Sequence, residues 1–192
     1  MTETIDPIAV ARSVTGTLDS LGIANTIGGS IASSFAGEPR STIDIDIVAA
    51  IEDRHVPSLV EALSPAFYVD DEALRRAIRL CSSANLIHLE TMLKVDLFVA
   101  GGTPLDSQQL ARRQAVLVRP GVTLYVHPPE DILLQKLRWY RLGGDLSDRQ
   151  WRDSLGIVRV QGPRLDRSYL RLNAPVLGVT DLLTRLLDEA GR

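Results

Sequence analysis

Residues 27–48 read IGGSIASSFAGEPRSTIDIDIV. An apolar run at 23–27 predicts a buried strand, and the glycine pair after it predicts a corner that leads into a short helix at 31–35. Beyond a loop with Gly37 and Pro39, apolar residues alternate over 43–49, which predicts a second strand. A strand, a glycine corner, a short helix and another strand in this order indicate an α/β fold.

The second strand carries two carboxylates at alternate positions, Asp44 and Asp46. Side chains at i and i+2 of a strand lie on one face, roughly 6.5–7 Å apart, so the two acids can converge on a cation. Oxygen ligands of this kind suit Mg²⁺, and acids on an isoleucine-rich strand are costly without a cation. Two alternatives remain: a solvent-facing pair on an edge strand, and the DxD pair of glycosyltransferases that bind nucleotide sugars.

The corner Gly28-Gly29-Ser30 precedes the short helix. Two glycines allow backbone amides to approach a phosphate, and the helix that follows directs its positive end at an anion. Ser30 adds a hydroxyl donor. The alternative is an ordinary tight turn. Together with the acidic pair, the corner predicts a phosphate site and a metal site on neighbouring elements.

This joint pattern resembles the signature of the DNA polymerase β-like nucleotidyltransferase superfamily. The motif, in which GGS is followed by the pattern GxPRxTxDID, is similar to that of the bacterial AbiEii-type branch, which includes toxin-like members. The resemblance implies a nucleotidyltransferase fold of the α/β (α+β) class, with a mixed central sheet flanked by helices. It also implies transfer of a nucleotidyl group from a nucleoside triphosphate, with Mg²⁺ or Mn²⁺ as the metal.

The resemblance also assigns roles to residues. The phosphate-facing turn matches Gly28, Gly29 and Ser30, and the paired metal ligands match Asp44 and Asp46. A third carboxylate on a later strand matches Asp96 in LKVDLF; it would complete the metal site and help to deprotonate the attacking hydroxyl. The alternative for Asp96 is a carboxylate paired with Lys94 or an arginine.

Three further residues are candidates for binding the nucleotide. Arg40 and Thr42 lie in the loop before the acidic pair, and Lys136 lies in PPEDILLQKLRWYR, which is similar to a helix of AbiEii-like proteins. Lysine and arginine would contact the triphosphate as cations. The alternatives are that Arg40 is an ordinary loop arginine and that Lys136 is a surface lysine. Glu130 and Asp131 are interpreted as first-turn residues that favour the helix dipole.

The rest of the chain predicts two parts. Residues 1–127 would form the α/β core, which includes a hairpin of strands at 85–90 and 93–99. Residues 128–192 would form a helical part packed on the core, with helices at 128–142, 147–160, 166–173 and 179–190.

Composition narrows the classes of protein. The net charge of −3 argues against a strongly basic nucleic-acid binder. The single cysteine, Cys81, excludes an internal disulfide and is expected to be a buried, small apolar residue in a reducing cytoplasm. Nothing in the sequence is long and apolar enough to span a membrane. All but two of the basic residues are arginines, which is typical of a GC-rich bacterial genome.

The leading hypothesis is therefore a metal-dependent enzyme that transfers a nucleotidyl group to a hydroxyl of tRNA, of a protein, or of a small molecule such as an aminoglycoside. A second hypothesis is a catalytically silent nucleotide- or protein-binding module of a toxin–antitoxin or defence system. That module would act as a homo-oligomer or with a partner antitoxin. A DxD glycosyltransferase is disfavoured, because the glycine corner would then have no role.

Overall fold

The computed structural model describes residues 6–38, 42–101 and 103–191. These residues form two compact units. The first comprises the described residues of Met1–Ile31 and Thr42–Val126, and the second those of Ala32–Ser41 and His127–Arg192. Helix α2 thus begins in the first unit, and its remaining residues are counted with the second.

The first unit contains a mixed sheet, in which the described residues form seven strands in the order β3-β4-β5-β2-β1-β7-β6. Strand β2 runs parallel to β5 and antiparallel to β1, and β1 runs parallel to β7. The strands are β1 Asn25–Ile27, β2 Ile45–Ala49, β3 Phe67–Tyr68, β4 Ser83–His88, β5 Lys94–Val99, β6 Gln114–Arg119 and β7 Val122–Val126.

One face of the central strands forms the core of this unit. Ile45 and Ile47 of β2 and Val95 and Leu97 of β5 are fully buried, whereas the residues between them are more accessible. Helix α1 contacts β1, β2 and β7, and α4 contacts β4 and β5. The helices of this unit are α1 Pro7–Ser20, the start of α2 Gly29–Ala36, α3 Val56–Leu63, α4 Asp71–Leu80 and α5 Pro104–Ala111.

Local sequence signals explain where these helices begin. Pro7 occupies the first turn of α1, and Asp6 caps it by accepting hydrogen bonds from the amides of Ile8 and Ala9. Asp70 caps α4 in the same way. Thr103 and Asp106 form a reciprocal capping box at the start of α5.

The second unit is helical. Its helices are α6 Pro129–Leu142, α7 Asp148–Gln161, α8 Arg167–Asn173 and α9 Thr180–Ala190, together with residues 32–36 of α2. Helix α7 contacts α6 and α9, and α8 contacts α6. Their shared core consists of aliphatic side chains that are fully or almost fully buried, among them Leu133, Leu137, Ile157, Leu170 and Leu186.

Most predicted elements are confirmed, including the hairpin of β4 and β5 and the helical texture after residue 127. The second strand begins at Ile45 and not at residue 43, since Ile43 is 68% exposed and lies outside the sheet. The two-residue strand β3 was not predicted, because two residues are too few to show alternation.

The expected burial of Cys81 is wrong. Cys81 ends α4 in the left-handed conformation, with φ of 47°, and its side chain is exposed. A helix C-terminus at the surface places the capping residue in solvent whatever its polarity.

Within the described part of the chain, no helix has the length and apolar character needed to cross a membrane.

Candidate active site

Asp46 and Asp96 are neighbours on adjacent parallel strands. The ladder between β2 and β5 pairs Asp46 directly with Asp96, although 50 residues separate them in sequence. Directly paired residues of neighbouring strands point to the same side of a sheet, with backbones about 4.8 Å apart. Asp44 precedes β2 by one residue and is exposed. The structure therefore brings Asp46 and Asp96 together on one sheet face, and Asp44 lies one residue before the strand that carries Asp46.

This carboxylate face lies opposite the core. Asp46 and Asp96 are each partly buried and alternate with fully buried isoleucine, valine and leucine side chains on the same strands. Alternation along β2 and β5 thus accounts for the separation of an acidic face from an apolar one.

Lys94 is a cation on this face. Its Nζ lies 2.8 Å from Asp96 Oδ2. The pKa of Lys94 is raised above its ordinary value, chiefly by the hydrogen bond that its ammonium donates to Asp96. Partial burial lowers this pKa, and the charges of Asp96, Asp44 and Asp46 raise it further. A single ammonium therefore interacts with all three acids.

The glycine corner lies directly against Asp46. The amide of Gly28 donates a hydrogen bond to the carbonyl oxygen of Asp46, at 2.9 Å. Gly29 begins α2 with φ of +53°, and a Cβ built there would lie 1.7 Å from Asp46 Oδ2. Only glycine fits between the helix start and this carboxylate.

The corner places Gly29 and Ser30 in the first turn of α2. The first amides of an α-helix have no partner within the helix. In α2 these are the amides of Gly29, which is exposed, and Ser30, which is buried. The amide of Gly28 is already used in the sheet. Of the predicted phosphate-facing turn, Gly28 therefore packs closely against β2, and the roles of Gly29 and Ser30 as donors stay predictions.

The other predicted nucleotide contacts are placed differently. Thr42 is partly buried, and its Oγ1 accepts a hydrogen bond from the amide of Asp44 at 3.2 Å. Arg40 lies outside the described residues. Lys136 lies in the second unit, where it is only 5% exposed and forms an ion pair of 2.8 Å with Asp153. Its Nζ also lies 3.3 Å from Gln150 Oε1.

The acidic pair before Lys136 connects α6 to α8. Asp131 Oδ1 accepts a hydrogen bond of 2.6 Å from the hydroxyl of Tyr169, and Glu130 Oε1 accepts one of 2.9 Å from the amide of Asp166. Both acids lie in the first turn of α6, as predicted, and both are buried.

Sequence reasoning missed Asn85 and treated Lys94 only as an alternative partner of Asp96. Asn85 is exposed and pairs with Asp96 from β4, on the side away from Asp46. The predicted hairpin contained a signal for both residues, since Lys94 shares the face of Asp96 and the hairpin register determines which residue faces Asp96.

A divalent cation fits the chemistry of these side chains, because carboxylate oxygens are the ligands that Mg²⁺ and Mn²⁺ prefer. In residues 6–38, 42–101 and 103–191, however, no group of three or more His, Cys, Asp or Glu side chains is arranged to bind a metal ion.

No protein-family model and no curated protein matches this chain. Several solved structures match this chain. An antigenic nucleotidyltransferase-like protein from Paracoccidioides brasiliensis matches with a TM-score of 0.57 at 19% identity, over 95% of this chain and 92% of that one. The antibiotic-resistance factor ANT(2'')-Ia matches with 0.54 at 14% identity, over 89% and 94%. The lincosamide antibiotic adenylyltransferase LnuA matches with 0.52 at 11% identity, over 80% and 96%.

At these identities the likeness concerns the fold alone. The mixed sheet with its helices is that of nucleotidyltransferases, which confirms the predicted fold class. The proteins that it resembles include enzymes that, by their names, adenylylate antibiotics.

Proposed function

We propose that this chain transfers a nucleotidyl group from a nucleoside triphosphate to a hydroxyl acceptor. The observation that supports this function most is the pairing of Asp46 with Asp96 beside the corner at Gly29. In this proposal the carboxylate pair and the first turn of α2 serve one substrate that carries both a metal ion and phosphates.

In this proposal Asp44, Asp46 and Asp96 bind the divalent ion, which when bound supplies Lewis-acid polarisation of phosphoryl oxygens. The amides of Gly29 and Ser30 donate to the outer phosphates of the triphosphate. Arg40, Thr42 and Lys136 are the further proposed contacts to the nucleotide, and the charges of Arg40 and Lys136 would offset phosphate charge.

Asp96 has a second proposed role as the proton acceptor. The acceptor hydroxyl transfers its proton to the Asp96 carboxylate, and its oxygen forms a bond to the α-phosphorus. The bond from the α-phosphorus to the bridging oxygen breaks, and pyrophosphate leaves with that electron pair. Asp96 is one fifth exposed, which leaves it accessible for such a transfer.

The proposed acceptor is a hydroxyl of tRNA, of a protein or of a small molecule. One of the similar structures is an antibiotic adenylyltransferase by name and another is an antibiotic-resistance factor, which supports the small-molecule class. The GxPRxTxDID form supports the toxin-like AbiEii branch instead, and this support comes from the sequence motif alone.

A catalytically silent module is the second candidate. The observation that favours it is the ion pair between Lys94 and Asp96, which already provides a cation for the third carboxylate. Such a module would bind a nucleotide or a partner protein without turnover.

The test is metal-dependent nucleotide binding, measured by calorimetry with each nucleoside triphosphate and then followed by pyrophosphate release. Asp46→Asn should remove metal-dependent binding, with at least a tenfold loss of affinity, because one ligand charge disappears at nearly constant volume. Asp71→Asn is the matched control, since it removes a carboxylate that pairs with Arg75 on α4. Nucleotide binding that persists in EDTA and in Asp46→Asn would contradict the proposal.

A further inference from the structure

Strand β6 is an open edge of the sheet. It is the last strand in the sheet order, so no further strand of the described residues pairs with its outer backbone groups. Edge strands usually carry lysine or proline, or are very short, because an open edge pairs readily with another chain. The opposite edge strand, β3, has only two residues, whereas β6 has six and contains neither lysine nor proline.

The central residues of β6 are apolar but poorly buried. They form the run AVLV at 115–118, and none of them is buried. Leu117 is 68% exposed, and Ala115, which lies on the same face, is exposed as well. The only charged residue of the strand is Arg119 at its end, where it forms an ion pair with Asp6. A partner strand that is neutral and apolar therefore suits this edge best.

The sequence of β6 is itself such a strand, and symmetry limits how two copies can pair. In an antiparallel pair, residues directly opposite each other alternate between hydrogen-bonded and non-hydrogen-bonded pairs. Two identical strands about a two-fold axis must therefore place one residue opposite its own copy. An axis at Val116 would set Arg113 opposite Arg119 of the other copy, and like charges directly opposite each other are destabilising.

An axis at Ala115 avoids this conflict, because Arg113 then lies opposite Leu117 of the other copy. The residues that pair lie in the part of β6, residues 114–117, whose register with β7 is regular; an axis at Leu117 would include the register shift that follows. The small side chain at the axis leaves room for Leu117 beside the aliphatic stem of Arg113. The guanidinium of Arg113 lies 4.8 Å from the centre of the Tyr125 ring.

We propose that two copies of this chain pair along β6 about a two-fold axis at Ala115, which joins their sheets into one. Each copy covers the exposed Leu117 of the other and provides hydrogen-bond partners for its edge strand. The inference is independent of the proposed function, since β6 lies at the end of the sheet order and carries none of the three aspartates.

The experiment is sedimentation equilibrium of the intact chain from low micromolar to submillimolar concentration. The average mass of wild type should rise with concentration from 21.0 kDa towards twice that value. Leu117→Lys faces Arg113 of the other copy and should weaken association at least tenfold more than Leu117→Glu, which removes the same apolar side chain but brings the opposite charge. Leu80→Lys is the matched control and should associate like wild type, because Leu80 is 67% exposed on α4.

Cross-linking locates the axis. In a Cys81→Ser background, Ala115→Cys should form a disulfide-linked dimer on mild oxidation, because its two thiols face each other across the axis. Leu117→Cys should link much less, since its two thiols lie on opposite sides of the axis, each two residues from it. Circular dichroism of each variant establishes that it is folded.

A wild type that stays monomeric at every concentration would overturn the proposal. A dimer that is equally strong in Leu117→Lys and Leu117→Glu would overturn it as well, because the interface would then lie elsewhere or have another register. A dimer that links through position 117 in preference to position 115 would overturn the axis at Ala115.

Discussion

At the scale of single residues, Gly29 links backbone conformation to the acidic site. Its positive φ disfavours any side chain, and its missing Cβ leaves the space that the carboxylate of Asp46 occupies. These two requirements can be separated, because Gly22 also has a positive φ but has no atom within 4 Å of the position of its absent Cβ.

Gly29→Ala should therefore displace the Asp46 carboxylate and reduce metal-dependent nucleotide binding at least tenfold. Gly22→Ala should incur a similar conformational cost, about 1–2 kcal/mol of unfolding free energy, without affecting binding. Chemical denaturation and binding calorimetry on both variants measure the two effects. Equal affinity of Gly29→Ala and wild type would contradict the role of the corner.

At the scale of secondary-structure elements, a buried hydrogen bond joins α6 and α8. The hydroxyl of Tyr169 donates to Asp131, whose side chain is fully buried. Tyr169→Phe should lower the unfolding free energy by about 1.5–3 kcal/mol, since a hydrogen bond to a charged group is lost at constant ring volume. Urea denaturation measures the change.

Tyr140→Phe is the matched control in the same unit. Tyr140 is buried and packs its ring on Trp151, and its hydroxyl has no hydrogen bond to the residues that the structure describes. A loss of stability as large in Tyr140→Phe as in Tyr169→Phe would show that the hydrogen bond to Asp131 is not the cause.

A second pair of elements, α1 and β6, is connected through the helix cap. Asp6 caps α1 and also forms a hydrogen-bonded ion pair with Arg119 of β6. This hydrogen bond is the main reason why the pKa of Asp6 is lowered. Burial raises the pKa, and the hydrogen bonds from the cap amides lower it further. A carboxyl whose pKa is lowered by folding stabilises the protein above its unfolded pKa, near 3.8. This contribution is lost as the pH falls through the lowered value.

The melting temperature of the wild type should accordingly fall on acidification below about pH 4. The melting temperature of Asp6→Asn should fall less, because asparagine retains the helix cap but does not titrate. Thermal melts from pH 6 to pH 3 provide the comparison, and superimposable profiles of Asp6→Asn and wild type would contradict the assignment.

At the scale of the whole molecule, ligand binding should increase the free energy of unfolding. A ligand that binds only the native state at a hundred times its dissociation constant adds about 2.7 kcal/mol. For a chain of 192 residues this corresponds to an increase of about 5–11 °C in melting temperature.

A thermal-shift series with each nucleoside triphosphate, with and without Mg²⁺, tests this and identifies the preferred base. The increase should require the metal and should be absent in Asp46→Asn. A shift of equal size without metal would indicate a nucleotide site that does not involve the aspartates.

The sequence by itself determined which residues face which way. Alternation along residues 43–49 and 93–99 placed one set of apolar residues on one face and Asp44, Asp46 and Asp96 on the other; the apolar set is Ile43, Ile45, Ile47, Leu93, Val95, Leu97 and Val99. The glycine pair predicted the corner that leads into a short helix. These signals are local, because backbone geometry and hydrogen bonding within a few residues produce them.

Only the tertiary structure decided which strands are neighbours and which residues meet. Alternation determines a face but not a partner, so the parallel pairing of β2 with β5, and with it the contact between Asp46 and Asp96, could not be derived from either segment. The contact between the Asp46 carboxylate and Gly29 could not be derived from the sequence either, because it joins a strand to the start of a helix that a loop separates from it. Such contacts depend on packing between distant segments, whose register no local pattern encodes.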